Sequence, residues 1–223
     1  MDPSAFVPAL GIALIAVVLL WFTIGTQFNI RKGERLMRWL QDGLPALGPR
    51  TTLRWLGSSV AELQIVQPRA PYREATVMIV LEPRDLGAVW ALARRRGRRD
   101  FLLLRLSLIR APHFRADVID PAAWTAGDNR RDEPAFDRAE TWAGVGGSEV
   151  ALRAHLDDRA DAVQIRALAE RLTRLSSGVW RVSVRPTVPH LEIHLLLPDT
   201  ARVSSHDLLG AVTEAARALS APR

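Results

Sequence analysis

Hydrophobic and polar positions are arranged in two main ways along this chain, and each predicts different elements. Residues 5–24 are 20 consecutive positions without a charged side chain. Seventeen of them are apolar, the exceptions being Pro8, Gly11 and Thr23, and twelve are Leu, Ile, Val or Phe. A bilayer core about 30 Å thick takes about 20 helical residues. The run therefore predicts a transmembrane helix, with insertion favourable by roughly 4–7 kcal/mol. Pro8 falls in its first turn, where a missing N–H costs little, and Trp21 and Phe22 lie near its far end, where aromatic rings favour the interface. Residues 32–44 then predict a short amphipathic helix. Leu36, Leu40 and Leu44 recur at i, i+4, i+8 with Trp39 beside them, while Lys32, Arg35 and Arg38 alternate around the side. Gly43 and Pro45 end it. Such a helix either lies in the membrane interface or packs on its own domain.

Beyond residue 50 the apolar period shortens to two, the signature of strands with one buried face. Alternation predicts strands at 52–56 and 60–66 flanking Gly57-Ser58-Ser59, then at 76–81, 101–109 and 114–119, the last two joined around Pro112-His113. Between the third and fourth, residues 85–96 predict a helix with Leu86, Val89, Trp90 and Ala93 on one face. The order then returns. A strand at 150–156 precedes a helix at 160–175, striped by Ile165, Leu168, Leu172 and Leu175 and capped by Asp157 or Asp158. Strands at 179–184 and 191–197 are joined around Pro189-His190. A final helix starts at Ser204 or Ser205 and carries Leu208, Leu209, Val212, Ala216 and Leu219 on one side.

The two predicted hairpins also agree locally. Arg105-Leu106-Ser107-Leu108 matches Arg181-Val182-Ser183-Val184, and Pro112-His113 matches Pro189-His190. The expected fold is therefore α+β: a single N-terminal transmembrane helix followed by a cytoplasmic domain of two ferredoxin-like βαββ modules, at about 74–120 and 148–197. The chain divides into an anchor (1–30), a basic juxtamembrane amphipathic segment (31–50), a first module with an N-terminal hairpin (51–120), a linker or long loop (121–147) and a second module (148–223). Asp128, Asn129, Arg130, Arg131, Asp132, Glu133 and Pro134 make the linker polar, whereas Trp124, Phe136 and Trp142 are expected to pin it to a module.

Charge orients this arrangement. The 223 residues carry 30 Lys+Arg against 24 Asp+Glu, a net +6, and all but Lys32 of the basic residues are Arg. Residues 31–54 carry six basic and two acidic side chains, and Arg94, Arg95, Arg96, Arg98 and Arg99 add five more positive charges. These two stretches exceed the net charge of the whole chain, so the positive charge is focal. Asp2 is the only charged side chain ahead of the apolar run, which argues for an uncleaved signal-anchor over a cleaved signal peptide. Arg31, Lys32, Arg35 and Arg38 follow it, which predicts a single-pass protein of the cell membrane, N-terminus outside and C-terminal domain cytoplasmic. These four and the five clustered arginines are the candidate contacts for lipid phosphate. The same cluster also reads as a solvated turn after a helix.

Candidate chemistry is sparse. With no cysteine there is no disulfide, thiolate metal site or Cys nucleophile. His190, Glu192 and His194 share one strand face and form a weak metal candidate, since ligands about 6.6 Å apart along one strand seldom converge. The alternative is a polar, solvated face paired with Arg181, Ser183 and Arg185. Gly144-Val145-Gly146-Gly147 is followed by no Lys-Ser/Thr, and no nucleophile elbow or His-Glu-x-x-His is present. No catalytic residue and no cofactor is implied. The expected function is a membrane-anchored, non-catalytic interaction or scaffolding protein, whose partners are the bilayer and a protein or second copy. The alternatives are a tethered binder of nucleic acid or anionic lipid through the arginine cluster and, less favoured, a metal-dependent enzyme.

Overall fold

The computed structural model describes residues 3–126, 136–157 and 162–221. Its first element is a 39-residue helix, α1 (Pro3–Gln41), which joins the predicted anchor and the predicted amphipathic segment without a break. The part Pro8–Gln41 is long and apolar enough to cross a membrane, with a mean hydropathy of 2.3 in its most apolar window and only 6% of that window buried. Below Ile24 the helix changes neighbours. Gly25, Asn29, Gly33, Leu36 and Leu40 are buried in a stripe at spacings of four, four, three and four residues, turned toward the domain. The two glycines in this stripe permit close contact. A Cβ on Gly25 would lie 2.3 Å from the Arg84 carbonyl oxygen.

Among the described residues nine strands form one sheet: β1 (Thr51–Trp55), β2 (Val60–Ile65), β3 (Tyr72–Val80), β4 (Phe101–Leu108), β5 (Ala116–Ile119), β6 (Arg138–Trp142), β7 (Leu152–Leu156), β8 (Val179–Val184) and β9 (Leu191–Leu196). Their spatial order is β1-β2-β3-β4-β9-β8-β5-β7-β6, and the pairs are antiparallel. This differs from two ferredoxin-like modules each with its own sheet. The predicted β4–β5 hairpin does not form: β4 takes β9, and β5 takes β8 and β7. Period-two alternation decides which face a residue occupies but not which strand lies beside it. The seven residues 109–115 reach roughly 23 Å when extended, enough to pass over β9 and β8, a step of about 14 Å.

One face of the sheet is covered by α3 (Ala162–Arg174), α4 (Ser205–Leu219), a 3-10 turn (Leu44–Ala46) and the lower half of α1. Leu104, Leu106, Val182, Val184, Leu191, Ile193 and Leu195 meet the stripes of α3 and α4 in the main core. The Ser204 hydroxyl accepts from the His206 N–H, capping α4 as its sequence predicts. On the opposite face Val80, Phe101, Leu103, Ala123 and Trp180 form a second, smaller cluster, so the first residues of the expected linker fold against the sheet. Further along, β6 and a second 3-10 turn (Val145–Gly147) lie within 121–147. Trp142 is buried, and Phe136 stands against His155 and Arg115. The polar stretch 128–134 and the expected start of α3 at 158–160 lie outside the described residues.

The remaining helix, α2 (Gly87–Arg95), departs most from expectation. Its predicted apolar face was to lie under the first module, yet none of its residues is buried. The helix-bearing face is already occupied by α4 and α1, and α2 stands instead beside the upper part of α1.

Candidate functional site

The most heavily connected polar site lies where α1 meets the domain. Three residues near the ends of β3 and β4 build it: Glu82, Arg84 and Asp100. The Asp100 carboxylate accepts from the Arg84 guanidinium through two nitrogens, at 2.9 and 2.8 Å, from Lys32 Nζ at 2.5 Å and from the Glu82 N–H at 2.6 Å. Asn29, fully buried on α1, donates to the Glu82 carbonyl at 3.0 Å and accepts from Arg84 at 3.2 Å. The Glu82 side chain, 2% exposed, accepts from Trp90 Nε1 on α2 at 2.5 Å and from Arg94 at 3.1 Å. Trp21 on α1 donates to the Arg84 carbonyl at 3.0 Å, and the Arg84 guanidinium lies 5.1 Å over the Phe28 ring. Buried charges persist only when such partners satisfy them. Burial is the largest single influence on the Asp100 carboxyl and pushes its pKa up. The bonds from Arg84, Lys32 and the Glu82 amide, with the Lys32 charge, together outweigh it and hold the group below the usual carboxylate range.

A second fastening lies one turn from the end of α1. Trp39 Nε1 donates to the Val203 carbonyl at 2.8 Å, and the Ser205 hydroxyl donates to the Trp39 carbonyl at 2.5 Å. Of the two readings of residues 32–44, the structure takes the helix packed on its own domain. Its outward side keeps Arg31, Arg35 and Arg38 exposed, while Lys32 is committed to Asp100.

The five clustered arginines also divide. Arg94 pairs with Glu82, and Arg98 lies 4.9 Å over the Trp124 ring and donates to the Leu81 carbonyl. Arg99 is exposed and donates to the carbonyls of Arg94 and Arg98, closing the end of α2. Arg95 and Arg96 are exposed. Within the cluster the surface charge is therefore that of Arg95, Arg96 and Arg99, and on α1 it is that of Arg31, Arg35 and Arg38.

On the second face of the sheet His190, Glu192 and His194 are buried, not solvated as the pattern suggested. His194 stacks on Phe101 of the second cluster, a contact that alternation does not reveal. The three side chains do not converge. The His190 Nδ1 accepts from the Leu108 N–H at 2.8 Å, and burial depresses its pKa. His194 Nε2 lies 3.1 Å from Glu192, whose other oxygen faces Arg105 at 3.3 Å. Among the described residues no group of three or more His, Asp or Glu side chains could hold a metal ion. Beside them Arg181 and Asp117 make a buried two-bond pair at 2.8 and 2.6 Å. These interactions account for the strip as an internal polar layer.

Neither protein-family models nor curated proteins give a match to this chain. Sequence reading missed Asn29, Glu82, Arg84, Trp90 and Asp100. The one available signal was the Gly25, Asn29, Gly33 spacing, which marks a close-packed helix stripe but is invisible to a hydropathy count.

Proposed function

We propose that this chain is a single-pass membrane protein, N-terminus outside, whose cytoplasmic sheet domain is a non-catalytic scaffold receiving a protein partner or a second copy. One observation carries the reading. The exposed apolar upper half of α1 and the buried stripe of its lower half belong to one uninterrupted helix, fastened by Asn29, Lys32 and Trp39. An anchor built this way holds the domain at a set height and orientation, which suits presentation of a surface. The sheet supplies such a surface at its β1 edge. β1 is the terminal strand beside β2, largely exposed, with Leu53 and, just past its end, Leu56 open to solvent. An edge strand of this kind offers free backbone groups to an incoming strand.

A photo-crosslinking residue in place of Leu53, in the full chain in its native membrane, tests this. The expected result is one stoichiometric adduct, to a partner or to a second copy, weakened when Thr51→Pro removes an outward-facing backbone donor from the same edge. A chain that stays monomeric, without adducts, would overturn the scaffold reading.

A further inference from the structure

α2 and the residue before it carry an apolar row that, among the described residues, no part of the domain covers. Leu86, Val89 and Leu92 follow one another at spacings of three and are 51%, 50% and 51% exposed. A helix of a domain in water normally hides such a row. What lies beside α2 is the upper part of α1. Asp85 to Val89 line an apolar recess with Val17, Val18, Trp21 and Phe22. The fit is close and fixed. A Cβ on Gly87 would meet the Trp21 ring at 2.9 Å, and the Trp21 and Trp90 rings stand 6.3 Å apart. Val17 lies seven residues, or about 10 Å, inside the apolar run that ends at Ile24. The start of α2 is thus held level with residues whose composition suits hydrocarbon. Its other end leads into Arg95, Arg96 and Arg99, all exposed.

We propose that α2 is a second membrane contact. It lies in the leaflet that α1 leaves, with Leu86, Val89 and Leu92 among the acyl chains and Arg95, Arg96 and Arg99 on lipid phosphates. The occupant is lipid, because the apolar row continues the surface of α1 at the same level and its charged rim is cationic. Interfacial helices have this division, apolar on one side and Arg-rich beside the headgroups. The two contacts would stop the domain from turning about the α1 axis. This inference rests on the anchor reading above.

The absence of cysteine makes the test direct. Single variants V17C, V89C, L92C and V163C of the full chain carry an environment-sensitive fluorophore in vesicles of phosphatidylcholine and phosphatidylglycerol, with or without brominated lipid. Val163 lies on α3, away from α1, and is 76% exposed. The expected result is lipid quenching at 17, 89 and 92 and a water-like signal at 163. Quenching at 17 with water-like signals at 89 and 92 would overturn the α2 contact and leave the anchor standing. No quenching at 17 would overturn the anchor itself. Blue-shifted signals at 89 and 92 without lipid quenching would mean that protein covers α2, and would overturn the lipid assignment. Equal quenching at 92 with and without phosphatidylglycerol would remove the arginine half of the proposal.

Discussion

Single side chains at the junction fasten the long apolar helix to the domain. Asp100 is the centre of that junction: one carboxylate, 7% exposed, holds a residue of α1, a neighbouring arginine and a backbone amide. Removing one member of such a group leaves the others buried without a partner, which costs about 3–5 kcal/mol where the loss is complete. Asp100→Asn retains an acceptor, so about 3 kcal/mol is expected, read as a lowered unfolding midpoint of the full chain in detergent. The pH dependence has a definite sign. The folded pKa of Asp100 is lowered from 3.8, so its contribution is complete above that value and is lost as the pH falls through the lower folded value. Asp100→Asn should therefore flatten the acid limb of the stability profile; an unchanged limb would place the acid sensitivity elsewhere. None of this was legible in the sequence. Asp100 follows two arginines and reads as part of a solvated charged turn, because its partners come from residues 32, 82 and 84, far from it in the chain.

Elements show where periodicity is informative and where it stops. The faces of the strands follow alternation: Leu104 and Leu106 point to the helix layer, and Arg105 and Ser107 to the other side. Helix α4 buries the stripe its sequence predicts, and α3 buries its own except for Leu175, which lies past its end and is half-buried. Pairing of β4 and β5 was not legible, because a polar loop with Pro112 suits a hairpin and a crossing equally well. Nor was the site of α2, since a row at three-residue spacing fits core and lipid alike. On α1 the lower stripe makes a quantitative test. Leu40 is fully buried between α1 and the domain, whereas Leu20 on the same helix is 61% exposed. Leu40→Ala should cost about 2–5 kcal/mol through lost burial and a cavity. Leu20→Ala should leave the domain's unfolding midpoint unchanged. Equal effects would mean that the lower half of α1 is not part of the domain core.

At the scale of the whole molecule, a nine-stranded sheet is built under the end of one long helix, and both depend on the same fastenings. Arg105-Leu106-Ser107-Leu108 and Arg181-Val182-Ser183-Val184 are alike in sequence. The two segments nevertheless serve one sheet, with β9 lying between β4 and β8. Composition and run length pointed to the apolar helix because a bilayer-length requirement is one-dimensional and leaves a direct trace. A pairing order or a buried charge network is three-dimensional and leaves none. If α1 is an anchor and its flanking arginines set its direction, everything after Gln41 lies on one side of the membrane and the first residues on the other.

The most direct measurement of that claim is labelling of S4C and V163C, separately, with a membrane-impermeant maleimide in intact cells and after permeabilisation. Labelling of S4C in intact cells, with V163C reached only after permeabilisation, is the expected result. The reverse pattern would invert the topology, and labelling of both on the same side would contradict a single-pass anchor altogether.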